Sequence, residues 1–120
     1  MKLTTVKLDK NGLNEALGSN LLPDDDMFGI GFTDHREGTW YLCVRVESDI
    51  TLNISIPKDG SRFRLDVLDE DFGQPYDYQR ILKSNPKLEF ALSVKARVEN
   101  QLEQLTKSGV ITGFTRGMYI

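Results

Sequence analysis

Side chains able to do chemistry are sparse in this chain. One histidine, His35, and one cysteine, Cys43, are its whole complement of imidazole and thiol. A zinc site or a Ser-His-Asp triad would have to rest on His35 alone, and His35 lies in the turn-like run Asp34-His35-Arg36-Glu37-Gly38. Cys43 follows in opposite phase to Leu42 and Val44, so pairing it with His35 would require a strand to fold back on its own loop. A buried or inert thiol is expected. The richest run is LDVLDEDFGQPYDYQR, residues 65–80, which holds five carboxylates and three aromatic rings. Counted from Asp69 it fails the EF-hand template, with Gly73, Gln74 and Arg80 where an oxygen ligand, a glycine and a glutamate belong. The run reads instead as a strand, a corner at Phe72 and Gly73, and a helix start. Pro75 is expected in the first helical turn, Asp77 near its positive end, and Asp69, Glu70 and Asp71 in solvent. Gly29-Ile30-Gly31 lacks the third glycine of a dinucleotide fingerprint, and no phosphate-cradling glycine-lysine loop is present. No catalytic, metal-binding or cofactor-binding residue is therefore expected, and the chain is expected not to be an enzyme.

These residues must be carried by elements that the hydrophobic pattern draws clearly. Across residues 27–68 apolar and polar side chains alternate with the two-residue period of half-buried strands. Phe28, Ile30 and Phe32 form one inward row, Trp40, Leu42, Val44 and Val46 a second, Ile50, Leu52, Ile54 and Ile56 a third, and Phe63, Leu65 and Val67 a fourth. Short polar turns separate the rows, and short connections join antiparallel neighbours. The other face carries Thr51, Asn53, Ser55, Asp66 and a group able to grip phosphates or stack bases: Tyr41, Arg45, Arg62 and Arg64. Glu47 and Asp66 offset part of that charge.

The apolar face needs a cover, and residues 86–108 supply a long helix, with Asn85 as cap, Pro86 at its first position and Gly109 as stop. Ala91, Val94, Val98, Leu102 and Leu105 draw one stripe along it. Leu88, Phe90 and Leu92 lie off that stripe and imply a further partner surface, either a shorter helix at residues 76–83 or a second subunit. Strands are expected at Leu3-Thr4-Thr5-Val6-Lys7-Leu8 and after Gly109, helical turns at Leu13-Asn14-Glu15-Ala16-Leu17, and a loop through Leu21-Leu22-Pro23-Asp24-Asp25-Asp26. The expected fold is thus a single α+β domain over residues 1–120. It has one antiparallel sheet of five or six strands, one long C-terminal helix packed on one face, and a terminal strand.

With 120 residues, 39% hydrophobic and 28% charged, the chain is of ordinary globular composition and large enough to bury a core. The lone cysteine fits a reducing compartment, and no apolar run suits export or membrane insertion, so a cytoplasmic location is expected. Residues 1–74 carry 8 basic against 14 acidic side chains, while residues 75–120 carry 7 against 4, so the halves differ in sign.

The basic half contains VENQLEQLTKSGVITGFTRGMY, residues 98–119, which resembles the end of a winged helix-turn-helix domain. Val98, Leu102, Leu105, Gly109, Val110 and Ile111 occupy the positions of the recognition helix and its exit, and Arg116-Gly117-Met118-Tyr119 resembles the wing's returning strand. The resemblance implies that Lys95, Arg97, Asn100 and Gln101 would face the DNA groove and Arg116 the phosphates. The reading favoured by the whole chain is a small cytoplasmic binding or adaptor protein. It would act through protein contacts, with Leu88, Phe90 and Leu92 meeting a partner or a second copy, and DNA binding is the alternative.

Overall fold

A computed structural model describes residues 17–118. The elements in order are β1 (Gly18–Ser19), α1 (Asp24–Ile30), β2 (Thr39–Glu47), β3 (Ile50–Pro57), β4 (Arg64–Asp69), β5 (Gln74–Pro75), α2 (Tyr78–Ser84), α3 (Glu89–Ser108) and β6 (Ile111–Thr112). The architecture is α+β and antiparallel, as the periodicity predicts, but its strands fall into two sheets rather than one. Strands β2, β3, β4 and β5 form a four-stranded sheet in that order, and β1 pairs with β6 in a separate ribbon. The terminal strand therefore does not rejoin the main sheet. The expected strand at Leu3-Thr4-Thr5-Val6-Lys7-Leu8 lies outside the described residues, as do the helical turns after it up to Leu17, whose side chain is buried.

The core lies on the inward face of the main sheet. Trp40, Leu42 and Val46 of β2, Ile50, Leu52, Ile54 and Ile56 of β3, and Leu65 and Val67 of β4 are buried there, with Phe63 just outside β4. Helix α3 covers this face with Ala91, Val94, Val98, Leu102 and Leu105, the predicted stripe. It runs unbroken to Gly109, whose φ of 89° is the left-handed exit that glycine adopts without strain. Its start is later than the sequence suggests. Asn85 closes α2, donating its backbone N–H to Ile81, so α3 begins at Glu89 after Leu88.

Four other expectations are corrected. The alternation Phe28, Ile30, Phe32 belongs to no strand, because α1 occupies Asp24–Ile30. Pro23 precedes it, Asp24, Asp25 and Asp26 place three carboxylates at its positive end, and Gly31 at φ 121° ends it. The run expected to be a loop thus starts a helix. Met27 is its buried residue, while Phe28 stays half exposed with its ring edge-on to Trp40 at 4.9 Å. Pro75 lies in β5 opposite Leu68, not in a helix. Asp77 does cap α2, its side chain accepting from the Arg80 backbone N–H at 3.1 Å. Of the two readings of Cys43, buried or inert, burial is excluded, because the residue is exposed on the outer face.

A bulge between Arg45 and Glu47 changes which face the end of β2 presents. Arg45 pairs with Thr51 and Glu47 with Ile50, so two residues of β2 stand against one step of β3. Glu47 is thereby turned off the outer face, where strict alternation would put it, and toward α3, where it meets Ser93 and Arg97.

Because Leu102 is fully buried between α3 and the sheet, Leu102→Ala should destabilise the fold by about 2–5 kcal/mol. Urea denaturation of the two proteins measures the difference, and a loss below about 1 kcal/mol would mean that α3 does not cap the core as described.

Candidate functional site

The outer face of the main sheet carries a connected polar network. Register places Tyr41 beside Ser55, Cys43 beside Asn53 and Arg45 beside Thr51, with Asn53 also opposite Asp66 and Ser55 opposite Arg64. The Tyr41 hydroxyl donates to Asn53 Oδ1, Asn53 Nδ2 donates to Thr51 Oγ1 at 2.8 Å, and Thr51 Oγ1 donates to Glu70 Oε2 at 2.6 Å. Each bond uses the donor of one group and the acceptor of the next, so the relay has a fixed direction from β2 to the end of β4. It also corrects one expectation: Thr51 and Asn53 are only 7% and 6% exposed rather than solvated, whereas Glu70 is exposed as expected while accepting from Thr51. Asp69 likewise accepts from the backbone N–H groups of Asp71 and Phe72, fixing the acidic corner as a turn.

Above this floor lies an open cleft of about 370 Å³ lined by Arg36, Arg62, Arg64, Tyr41, Asn53, Ser55 and Asp66 among others. The Arg36 guanidinium sits over the Tyr41 ring at 5.9 Å, and Arg64 lies 3.8 Å from Asp66. Of the residues expected on this face, Tyr41, Arg62 and Arg64 converge here. Arg45 instead lines a cleft against α3, with a guanidinium bond to the Ser48 carbonyl at 3.3 Å. Arg36 and Glu70, which lie outside the strands, escape a sequence reading, and Thr51 and Asn53, placed on this face by alternation, show their burial and bonding only once the strands are in register.

Burial pushes the Tyr41 hydroxyl above the ordinary tyrosine value; Cys43 beside it and Glu70 add to the rise, and Arg36 opposes it. Tyr76 is raised as well, first by burial and then by the Asp69 carboxylate.

A second region lies at the corner of α2 and α3. Leu88, Phe90 and Leu92 are 37%, 40% and 42% exposed. With about 3.6 residues per turn, side chains two positions apart point to nearly opposite flanks, and the contacts agree. Phe90 packs edge-on against Tyr76 at 5.8 Å on one side. Leu92 lines, on the other, a cleft of about 170 Å³ with Tyr78, Gln79, Leu82, Lys83, Pro86 and Lys95. The three residues do not form one patch.

The helix residues assigned to DNA by the resemblance are divided too. Arg97, Asn100 and Gln101 line one polar cleft of about 480 Å³ with Arg45, whereas Lys95 lies on the opposite flank. Lys95 Nζ is 3.3 Å from Glu99, Arg97 Nε 3.7 Å from Glu47, and Arg116 binds Asn100 at 2.6 Å and Glu103 at 3.3 Å. Glu99 is 1% exposed, faces the Arg116 guanidinium at 3.8 Å and accepts the Gly117 backbone N–H at 3.2 Å. Residues 116–118 form a turn over it rather than a returning strand, and β6 pairs with β1.

No protein-family model matches the chain, and no curated protein matches it. Its fold is similar to the crystal structure of a DUF1831 family protein, Lp2179, from Lactobacillus plantarum. The TM-score is 0.60 over 78% of this chain and 82% of that one, at 13% sequence identity. The likeness at that identity is one of fold.

The Tyr41 relay predicts a pH effect. Its folded value lies above the unfolded one, so the contribution of the protonated hydroxyl is full below about pH 10 and is lost as pH rises through the folded value. Stability measured by urea between neutral and alkaline pH should fall more steeply for the wild type than for Tyr41→Phe. Parallel curves would show that folding does not raise the value of this hydroxyl.

Proposed function

We propose that this chain is a small non-enzymatic binding protein of the cytoplasm, acting through the cleft between α2 and α3. The observation that carries this reading is the pocket lined by Tyr78, Leu82, Pro86 and Leu92. Small apolar pockets of this kind receive the anchoring side chain of a partner. Lys83 and Lys95 extend their aliphatic stems along the pocket; Lys95 is paired with Glu99, and the Lys83 ammonium suits a carboxylate next to the anchor. The favoured partner is thus a segment with one large apolar residue beside an acidic one. Among the described residues no helix is long and apolar enough to cross a membrane, which agrees with action in water. DNA binding draws less support, because phosphates would have to displace carboxylates already within 4.0 Å of Lys95, Arg97 and Arg116.

Displayed peptides selected on the full chain should converge on a Leu, Ile or Phe beside an Asp or Glu. Leu92→Asp should weaken the selected peptide at least about tenfold, while Phe90→Asp, on the other flank, should not. Binding indifferent to Leu92→Asp, or selection of basic peptides, would refute the proposal. Light scattering is expected to give the monomer mass of 13.6 kDa. Twice that mass, restored to 13.6 kDa by Leu92→Asp, would assign the cleft to a second copy.

A further inference from the structure

We infer that the outer face of the main sheet holds a second, independent site, for a small phosphomonoester, seated between Arg36 and Arg64 above the Tyr41, Asn53 and Ser55 floor. Three observations lead there. The lining contains three guanidinium groups against one carboxylate, Asp66, so the cleft is locally positive on a chain whose net charge is −3. Asn53 and Thr51 are buried and hydrogen-bonded in series, so the floor is rigid before any ligand arrives. Arg36 has no carboxylate within ion-pair distance among the described residues and contacts the Tyr41 ring, while Arg64 has only the long, exposed pair with Asp66 at 3.8 Å. A pair of that length is weak and gives way to a better acceptor.

The chemistry of the acceptor follows from the donors. A carboxylate has two oxygens and is satisfied by one guanidinium fork. A terminal phosphate has three, and can accept from Arg36 and Arg64 together with a hydroxyl such as Ser55. The volume of about 370 Å³ is that of a small-molecule site. Glu70 anchors the far end of the relay and Asp66 lies along β4, so a second phosphate moving that way would meet acid. That boundary favours a single phosphate over the repeated phosphates of a single-stranded nucleic acid.

The test is a titration of the full chain followed by amide NMR and calorimetry, with inorganic phosphate, glycerol 3-phosphate, acetate and a single-stranded oligonucleotide as separate probes. Both phosphate probes should bind saturably with one-to-one stoichiometry and shift the amides of Tyr41, Asn53, Ser55 and Arg64. Acetate should bind at least about tenfold more weakly. Arg36→Ala and Arg64→Ala are surface changes whose folding the same spectra report, and each should weaken glycerol 3-phosphate at least about tenfold, while Arg97→Ala should not. The inference fails if millimolar phosphate leaves those amides unmoved. It fails equally if Arg36→Ala and Arg64→Ala bind as the wild type does, or if the oligonucleotide binds more tightly than glycerol 3-phosphate.

Discussion

A sheet with one oily side must hide it, and in this chain α3 does most of the hiding. Ala91, Val94, Val98, Leu102 and Leu105 are buried against Leu52, Ile54, Leu65 and their neighbours. A fully buried aliphatic side chain of the Leu or Val class contributes about 1.5–3 kcal/mol, whereas a surface ion pair contributes about 0–1. The position of α3 is therefore decided by its stripe and not by the Arg97, Lys95 and Arg116 contacts along its flanks. Those flanks are what remains for binding. Helix α2 leans on one side and leaves an apolar pocket, and the β2 edge borders the other with polar groups.

Much of this was legible because two periods are unmistakable in the sequence. The alternation of Trp40, Leu42 and Val46, and of Leu52, Ile54 and Ile56, locates β2 and β3, and the spacing from Ala91 to Leu105 locates α3. The misreadings occur where a short apolar alternation has too few residues to separate a strand from a helix. Phe28, Ile30 and Phe32 are such a case, and the three aspartates before them were the better signal, since carboxylates gather at a helix's positive end. Pro75 and Asn85 each belong to a different element from the one their residue type suggests, for a related reason. Both residue types suit the start of a helix, but proline equally suits an edge strand and asparagine the end of a helix.

The polar face was legible only in part. Tyr41, Arg62 and Arg64 stand out by residue type, but Asn53 and Thr51 look like ordinary solvent-facing strand residues until the register joins Cys43 to Asn53 and Arg45 to Thr51. Burial of a polar side chain is a property of three strands together, and no single stretch of sequence contains it. Glu99 teaches the same lesson on the helix. It lies one step from Val98, and its burial arises from the turn at residues 116–118 and the Lys95 side chain folding over it.

The bulge at the end of β2 has a further reach. Its extra residue re-phases only the last step of the strand, and so sends one carboxylate to the helix side, where Arg97 meets it. The polar link between the end of this strand and α3 thus rests on one inserted residue. Deleting Val46 would remove a buried side chain and leave Glu47 opposite Ile50, in the inward phase, so that a carboxylate would take the place of the lost valine at the edge of the core. Length variation at that one position would accordingly be far less neutral than in the turns on either side of it.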